Sequence, residues 1–164
     1  RVDSSNSAVT AKVSFLGLGY RTADFPVITG DARITPEAMV RSRLNVQIDA
    51  RQLTAGDTVT TNRLRSPDFF DVVNYPTVSF AGQGLAMTGP TTASVSGNLT
   101  ARGVTRPVTL SIRFPGPPAQ TATRDTINIV GTTSINRRDF GMTAYSLVVG
   151  KRVTITIRAR LIPT

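Results

Sequence analysis

The chain has 164 residues, of which 40% are hydrophobic and 18% charged, and its formal net charge is +9. That length fits a single domain, residues 1–164, with a sizeable core, and the composition is neither disordered nor membrane-spanning. Cys, His and Trp are all absent, which excludes a cysteine nucleophile, a Ser-His-Asp triad, a histidine-based metal site and a disulfide framework. Of the 19 basic residues only Lys12 and Lys151 are lysine. Such a surface favours anionic partners: nucleic acid, lipid headgroups or phosphorylated ligands. It equally serves solubility, because the arginines are spread along the chain. No export signal is visible at the start, and a mature exported chain would look the same.

Strict alternation begins near the N-terminus, where Val9, Ala11, Val13 and Phe15 alternate with Thr10, Lys12 and Ser14. Residues 27–35 are a weaker strand candidate, and residues 36–41 suit a helical turn. Leu44, Val46 and Ile48 resume the alternation. Ser66, Pro67 and Asp68 read as an N-cap, a proline at the first helical position and a first-turn acid. A short helix is therefore expected over residues 67–73, stopped by Pro76. Residues 76–87 are another weaker strand. Alternation returns at Val95, Gly97 and Leu99, and at Val108, Leu110, Ile112 and Phe114. Residues 115–126 read as a loop, followed by alternation over Ile127–Ile135 and over Val153–Leu161. Period-two patterning rich in Val, Ile and Thr predicts about eight half-buried antiparallel strands, with one or two short helices. Such a set closes into a barrel or packs as a sandwich.

The inward face of these strands is almost wholly apolar and mostly of medium-sized side chains. A barrel of eight strands either fills with such side chains or holds one small ligand. A hollow one would suit an acyl or isoprenoid chain. Each buried CH2 contributes about 0.8 kcal/mol, so about ten give about 8 kcal/mol before entropic costs. A packed sandwich core fits the same pattern. Phe69 and Phe70, placed on a helix, would lie about 100° apart. They then line the mouth of a cavity or form a satellite cluster under a loop.

The polar candidates at such a mouth are Arg63, Arg65 and Arg137, with Arg138 beside the last. A guanidinium suits a diphosphate or a quinone carbonyl through its forked donors. Asp71 and Asp139 could pair with these arginines instead, and ion pairs that pin a turn are the commoner outcome for such a set. Asn136 reads as a turn residue, and Gly141 as a position needing an unusual backbone angle. The ten acids are scattered, and no pair of them falls on the apolar face. No catalytic residue and no metal site is therefore assigned. Nucleic-acid binding by a barrel needs exposed aromatics interleaved with basic residues, whereas the outward positions here are mostly Thr, Ser, Asn and Arg. A basic stripe of Arg113, Arg158 and Arg160 would more readily meet an anionic membrane or simply be solvated.

Four stretches in order resemble the YceI-like family of lipocalin-like polyisoprenoid-binding proteins. They are VDSSNSAV at the start, LRSPDFFDVVNYPTVSF at 64–80, GNLTARGVTRPVTL at 97–110 and INRRDFGM, which begins at Ile135. Asn6 stands where the family usually has His, and the histidines expected after the first strand and before residue 64 are missing too. The resemblance implies an all-β, eight-stranded lipocalin-like antiparallel barrel, often a homodimer, exported to the bacterial periplasm or beyond. It also implies non-enzymatic carriage of an isoprenoid, a polyprenyl quinone or polyprenyl phosphate, with no cofactor besides that lipid. Tail contacts are expected from Phe15, Phe69, Phe70, Phe80, Leu110, Ile112, Phe140 and Met142. Phe69, Phe70 and Phe140 among these rest partly on the resemblance. The alternatives are a basic barrel surface that binds nucleic acid or membrane, and a structural or stress-response protein with a filled core.

Overall fold

A computed structural model of the chain describes residues 1–17, 19–118 and 125–163. Nine strands are present among them: β1 (Ala8–Phe15), β2 (Gly19–Phe25), β3 (Ile28–Arg33), β4 (Arg43–Asp49), β5 (Thr77–Met87), β6 (Thr92–Ala101), β7 (Val104–Arg113), β8 (Ile127–Asn136) and β9 (Val149–Leu161). One α-helix, α1 (Thr58–Arg65), and several short 3-10 turns complete the described elements. Met39–Arg41 is one of those turns, where residues 36–41 were expected to make one.

The strands form one sheet in the order β2-β1-β9-β8-β7-β6-β5-β4-β3, with every neighbouring pair antiparallel. The first and last strands of that order are joined by only Pro26 and Val27, so the sheet must curl back on itself. Main-chain bonds help close the seam. Val2 donates its N–H to the Gly30 carbonyl, and Asp24 and Thr54 exchange bonds of 2.8 and 2.9 Å. The result is an all-β, lipocalin-like curled sheet.

The expected count of eight strands is corrected to nine by β2. Its sequence, GYRTADF, buries only Ala23 and Phe25, so it lacks the full apolar face that marks the others. The helix expected over residues 67–73 is also corrected. The α-helix ends where that segment starts: Asp57 caps α1, its carboxylate accepting from the Thr60 N–H at 2.7 Å. Ser66 is the C-cap, with ψ 169°, because the following proline disfavours helical geometry in the residue before it. Residues 66–75 then fold as successive turns, with Phe69 and Asp71 both donating to the Ser66 carbonyl. Of the loop expected over residues 115–126, positions 119–124 lie outside the described residues.

The barrel is packed at one end and hollow at the other. At the packed end the inward residues are fully buried, among them Leu44, Leu85, Val95, Ile112 and Phe114. Between them Gly97 faces Gly82 across the β5–β6 pair. A Cβ on Gly97 would come within 2.3 Å of the Ala81 carbonyl oxygen and 2.7 Å of Phe80 Cζ. The missing side chains let the Phe80 ring pack against both glycines, and Phe80 borders the space beyond them.

Candidate binding cavity

Two adjoining chambers occupy the hollow end. The inner one, about 70 Å³, is lined by Val46, Ile48, Val78, Phe80, Leu99, Val108, Leu110 and the inward residues of β8 and β9. The outer one, about 230 Å³, is lined by β1, β2, α1, the 69–70 segment and residues 142–153. Ala11, Phe70, Arg137, Met142 and Val153 line both and so form the layer between them. The room comes from small residues in register. Ala11 pairs with Ala23 across β1 and β2, where larger side chains would meet.

Each wall has a sequence reason. On α1, Thr60, Arg63 and Leu64 line the outer chamber, positions that share a face at helical spacing. Phe69 and Phe70 are aimed by the turns that follow the helix. Asp71, with φ +48°, reverses the chain, and the Asn74 amide holds its carboxylate at 3.0 and 3.2 Å. Phe69 stacks on Tyr145 at 5.9 Å between centroids, and Phe70 meets Phe25 edge-on at 5.3 Å. The loop carrying Tyr145 is tied to β1 by the Leu16 N–H, which donates to the Val148 carbonyl at 2.7 Å. Exposed apolar side chains stand near this opening, Leu16, Val59 and Leu147 among them, the last 98% exposed.

Of the expected tail contacts, Phe15 and Phe69 line the outer chamber, Phe80 and Leu110 the inner one, and Phe70 and Met142 both. Two belong elsewhere. Ile112 lies on the same face of β7 as Leu110 but one step further into the packed end. Phe140, 1% exposed, is buried in the turn after β8 and lines neither chamber.

The three expected headgroup arginines also separate. Arg63 lines the outer chamber, its guanidinium 5.0 Å from the Tyr145 ring centre. Arg65 lines neither; it donates from Nε and Nη2 to the Leu53 carbonyl at 3.2 and 2.7 Å, so it braces the loop before α1. Arg137 lines both chambers and is 2% exposed. Its Nε donates to Gly150 O at 2.9 Å, Nη1 to Met142 O at 2.6 Å and Nη2 to Val149 O at 3.0 Å. Burial pushes its pKa down, and the neighbouring Arg138 pushes it the same way.

The ion pairs expected to pin these turns are not formed. Among the described residues the salt bridges are Arg51–Asp49 and Arg160–Asp3. Backbone carbonyls take the place of carboxylates. Asn136 does serve its turn, accepting from the Arg138 N–H at 3.1 Å, and Gly141 takes a left-handed φ of +78°.

Three contributors escaped the sequence. Arg21 lines the outer chamber on the inward face of β2, in register with Val13. Tyr145 closes the same chamber from a loop. Arg102, in the β6–β7 turn, donates to the Pro67 carbonyl at 2.6 Å and to the Gly141 carbonyl. It ties the segment carrying Phe69 and Phe70 to the turn carrying Arg137 and Met142. Arg21 carries no sequence signal, because only Ala23 and Phe25 of β2 are buried and no alternating apolar run surrounds it. The partners of Arg102 are carbonyls, which no sequence pattern marks.

Known proteins share this fold. A UPF0312 protein of Vibrio vulnificus is 28% identical over 138 residues, 84% of this chain and 73% of that protein. A UPF0312 protein of Pseudomonas putida is 29% identical over 140 residues, 85% and 73% of the two chains. Among solved structures, Burkholderia cenocepacia BcnA superposes with a TM-score of 0.87 at 22% identity, covering 98% of this chain and 99% of that one. A polyisoprenoid binding domain from Saccharophagus degradans superposes with a TM-score of 0.74 at 16% identity, covering 99% and 97%. The family model described as the YceI-like domain matches residues 1–161, and the chain belongs to that family.

Proposed function

We propose that this protein binds and carries a hydrophobic isoprenoid lipid, without catalysis, in the two chambers at the hollow end of the barrel. The observation that carries the reading is the partition of the interior. The same apolar strand faces that pack tightly at one end stand apart at the other, around space lined by Phe15, Phe69, Phe70, Phe80, Leu110 and Met142. The likeness to a domain described as polyisoprenoid-binding supports the ligand class. Polyprenyl quinones and polyprenyl phosphates both present an apolar tail and a polar head that arginine can hold. Carriage, as opposed to turnover, is supported by the lining: its charged groups are arginines, which bind and orient and do not exchange protons near neutral pH. We place the protein in the bacterial periplasm or outside the cell, working as a homodimer. The exposed apolar residues near the mouth and the +9 charge suit brief contact with an anionic membrane for loading.

The test is native mass spectrometry of the purified chain with lipid extraction, run beside Ala11→Phe. That variant puts a ring into the space between the chambers. A prenyl compound near one per chain, lost in Ala11→Phe, is the expected result. No bound lipid and no uptake of added polyprenyl quinone or phosphate would sink the reading and favour a basic surface with another anionic partner.

A further inference from the structure

Three guanidinium groups reach the outer chamber, those of Arg21, Arg63 and Arg137, and no carboxylate among the described residues lines either chamber. Each guanidinium rests over an aromatic ring of the same wall. Arg21 lies 4.5 Å from the Phe15 centroid, Arg63 5.0 Å from Tyr145 and Arg137 5.9 Å from Phe69. A ring face fixes the position of a cation but leaves its charge in place. None of the three is in a salt bridge. Asp57 feels the charge of Arg21, but less than its bonds to Thr60 and its own desolvation. Both of its oxygens are engaged by Thr60, through the N–H at 2.7 Å and the hydroxyl at 2.8 Å.

Arg137 makes the charge imbalance expensive. Its three bonds to carbonyls use Nε and one N–H on each terminal nitrogen. A guanidinium has five N–H groups, so each terminal nitrogen keeps a second one. A cation this deeply buried, without a counter-ion, gains from any anion that can reach it.

The size of the space bounds the rest of the ligand. The chambers together enclose about 300 Å³. A protein cavity of about 150 Å³ holds benzene, so this space takes about a dozen non-hydrogen atoms. With the polar head inside the outer chamber, a carboxylate leaves room for about ten carbons and a phosphate, with its five heavy atoms, for about seven. The far end is closed by Ile112, Phe114 and their neighbours, all buried, so a longer chain has only the mouth to leave by.

From charge and volume together we infer that the chain selects a short amphiphile with an anionic head, a phosphate or a carboxylate, held within reach of Arg21, Arg63 and Arg137, with an enclosed tail of about seven to ten carbons. This selectivity rests on the lipid-binding reading above and refines it. It disfavours a neutral quinone head and gives a long polyprenyl tail no added grip.

The experiment is calorimetric titration of the delipidated full chain with geranyl phosphate, geraniol, decanoate and geranylgeranyl phosphate. Geranyl phosphate is expected to bind at least about tenfold more tightly than geraniol. That ratio should fall in Arg21→Gln and Arg63→Gln, whose side chains lie at the chamber wall and make no bond that holds a strand or turn in place. Geranylgeranyl phosphate should gain no more than about threefold over geranyl phosphate. Whichever of geranyl phosphate and decanoate binds tighter identifies the head as phosphate or carboxylate, and either result supports the inference. Equal binding of geraniol and its phosphate, or affinity that climbs steadily with each isoprene unit, would overturn it and leave the carrier reading standing. Binding of none of these compounds, nor of a long polyprenyl phosphate or a polyprenyl quinone, would bring down the carrier reading itself.

Discussion

Arg137→Met is expected to destabilise the fold by about 3 kcal/mol. The native guanidinium makes three charge-assisted bonds to Gly150, Met142 and Val149 carbonyls. Such bonds are worth about 1.5–3 kcal/mol each, so the gross loss is about 5–9 kcal/mol. Removing a buried cation returns several kcal/mol of desolvation, which leaves a net loss of about 3 kcal/mol. For a chain of this size that lowers the melting midpoint by about 6–12 °C. Urea unfolding with an unchanged m-value is the assay. Arg137→Lys should recover less than half, because an ammonium presents its donors from one point while the three carbonyls are arranged around a fork. An Arg137→Met variant within about 1 kcal/mol of the parent would refute the reasoning: the carbonyls would then be satisfied by other means.

Phe70→Asp should weaken lipid retention by about tenfold or more, since it removes an aromatic wall common to both chambers, whereas Arg158→Ala, on the outward face of β9, should leave retention unchanged. Equal retention by the two variants in native mass spectrometry would take the 69–70 segment out of the site. Gly97→Ala should destabilise by about 2–3 kcal/mol, because the nearest neighbour of the new Cβ is a strand carbonyl that cannot swing aside. A parental unfolding midpoint would contradict that packing. The Asp57 carboxylate is held below its ordinary value of 3.8, chiefly by the Thr60 N–H. Its capping contribution is therefore complete above that value and is lost as pH falls through the lower folded-state value. Amide exchange in α1 should accelerate in that acid range, and Asp57→Asn should remove the step; an α1 that exchanges at a constant relative rate would disprove the cap.

Period two told which side of each strand faces inward, and the inward face was legible for β1 and β4 to β9. It could not tell height along the barrel axis. Leu110 and Ile112 carry the same signal, yet one borders the chamber and the other lies in the packed end. Whether the interior was filled or hollow was open for the same reason, since the answer depends on which small residues meet, as Ala11 and Ala23 do. β2 was illegible because four of its seven residues in a row are exposed and an arginine takes one inward position. The helix was misplaced by one element: Ser66 and Pro67 resemble a start, but Asp57 with Thr60 three residues on is the cap that forms. Carboxylates are the expected arginine partners because sequence displays side chains, whereas Arg65, Arg102 and Arg137 all bind main-chain carbonyls.

The pairing of β1 with β9 sets Ala8 opposite Arg158, the longest loop closure between two strands of the sheet. β5, β6 and β7 are joined in sequence by short turns, and such hairpins form at small entropic cost. Folding is thus expected to raise the packed meander early and to join the two chain ends late. The outer chamber is built from β1, β2 and the start of β9, so it comes into being with that last step. A nascent chain would pass through a stage with a finished floor and an open wall, and a bulky guest could enter sideways before the wall closes. Pulse-labelled hydrogen exchange would see protection of β5 and β6 amides before those of β1 and β9, and a guest added during refolding would be captured faster than one offered to the finished barrel.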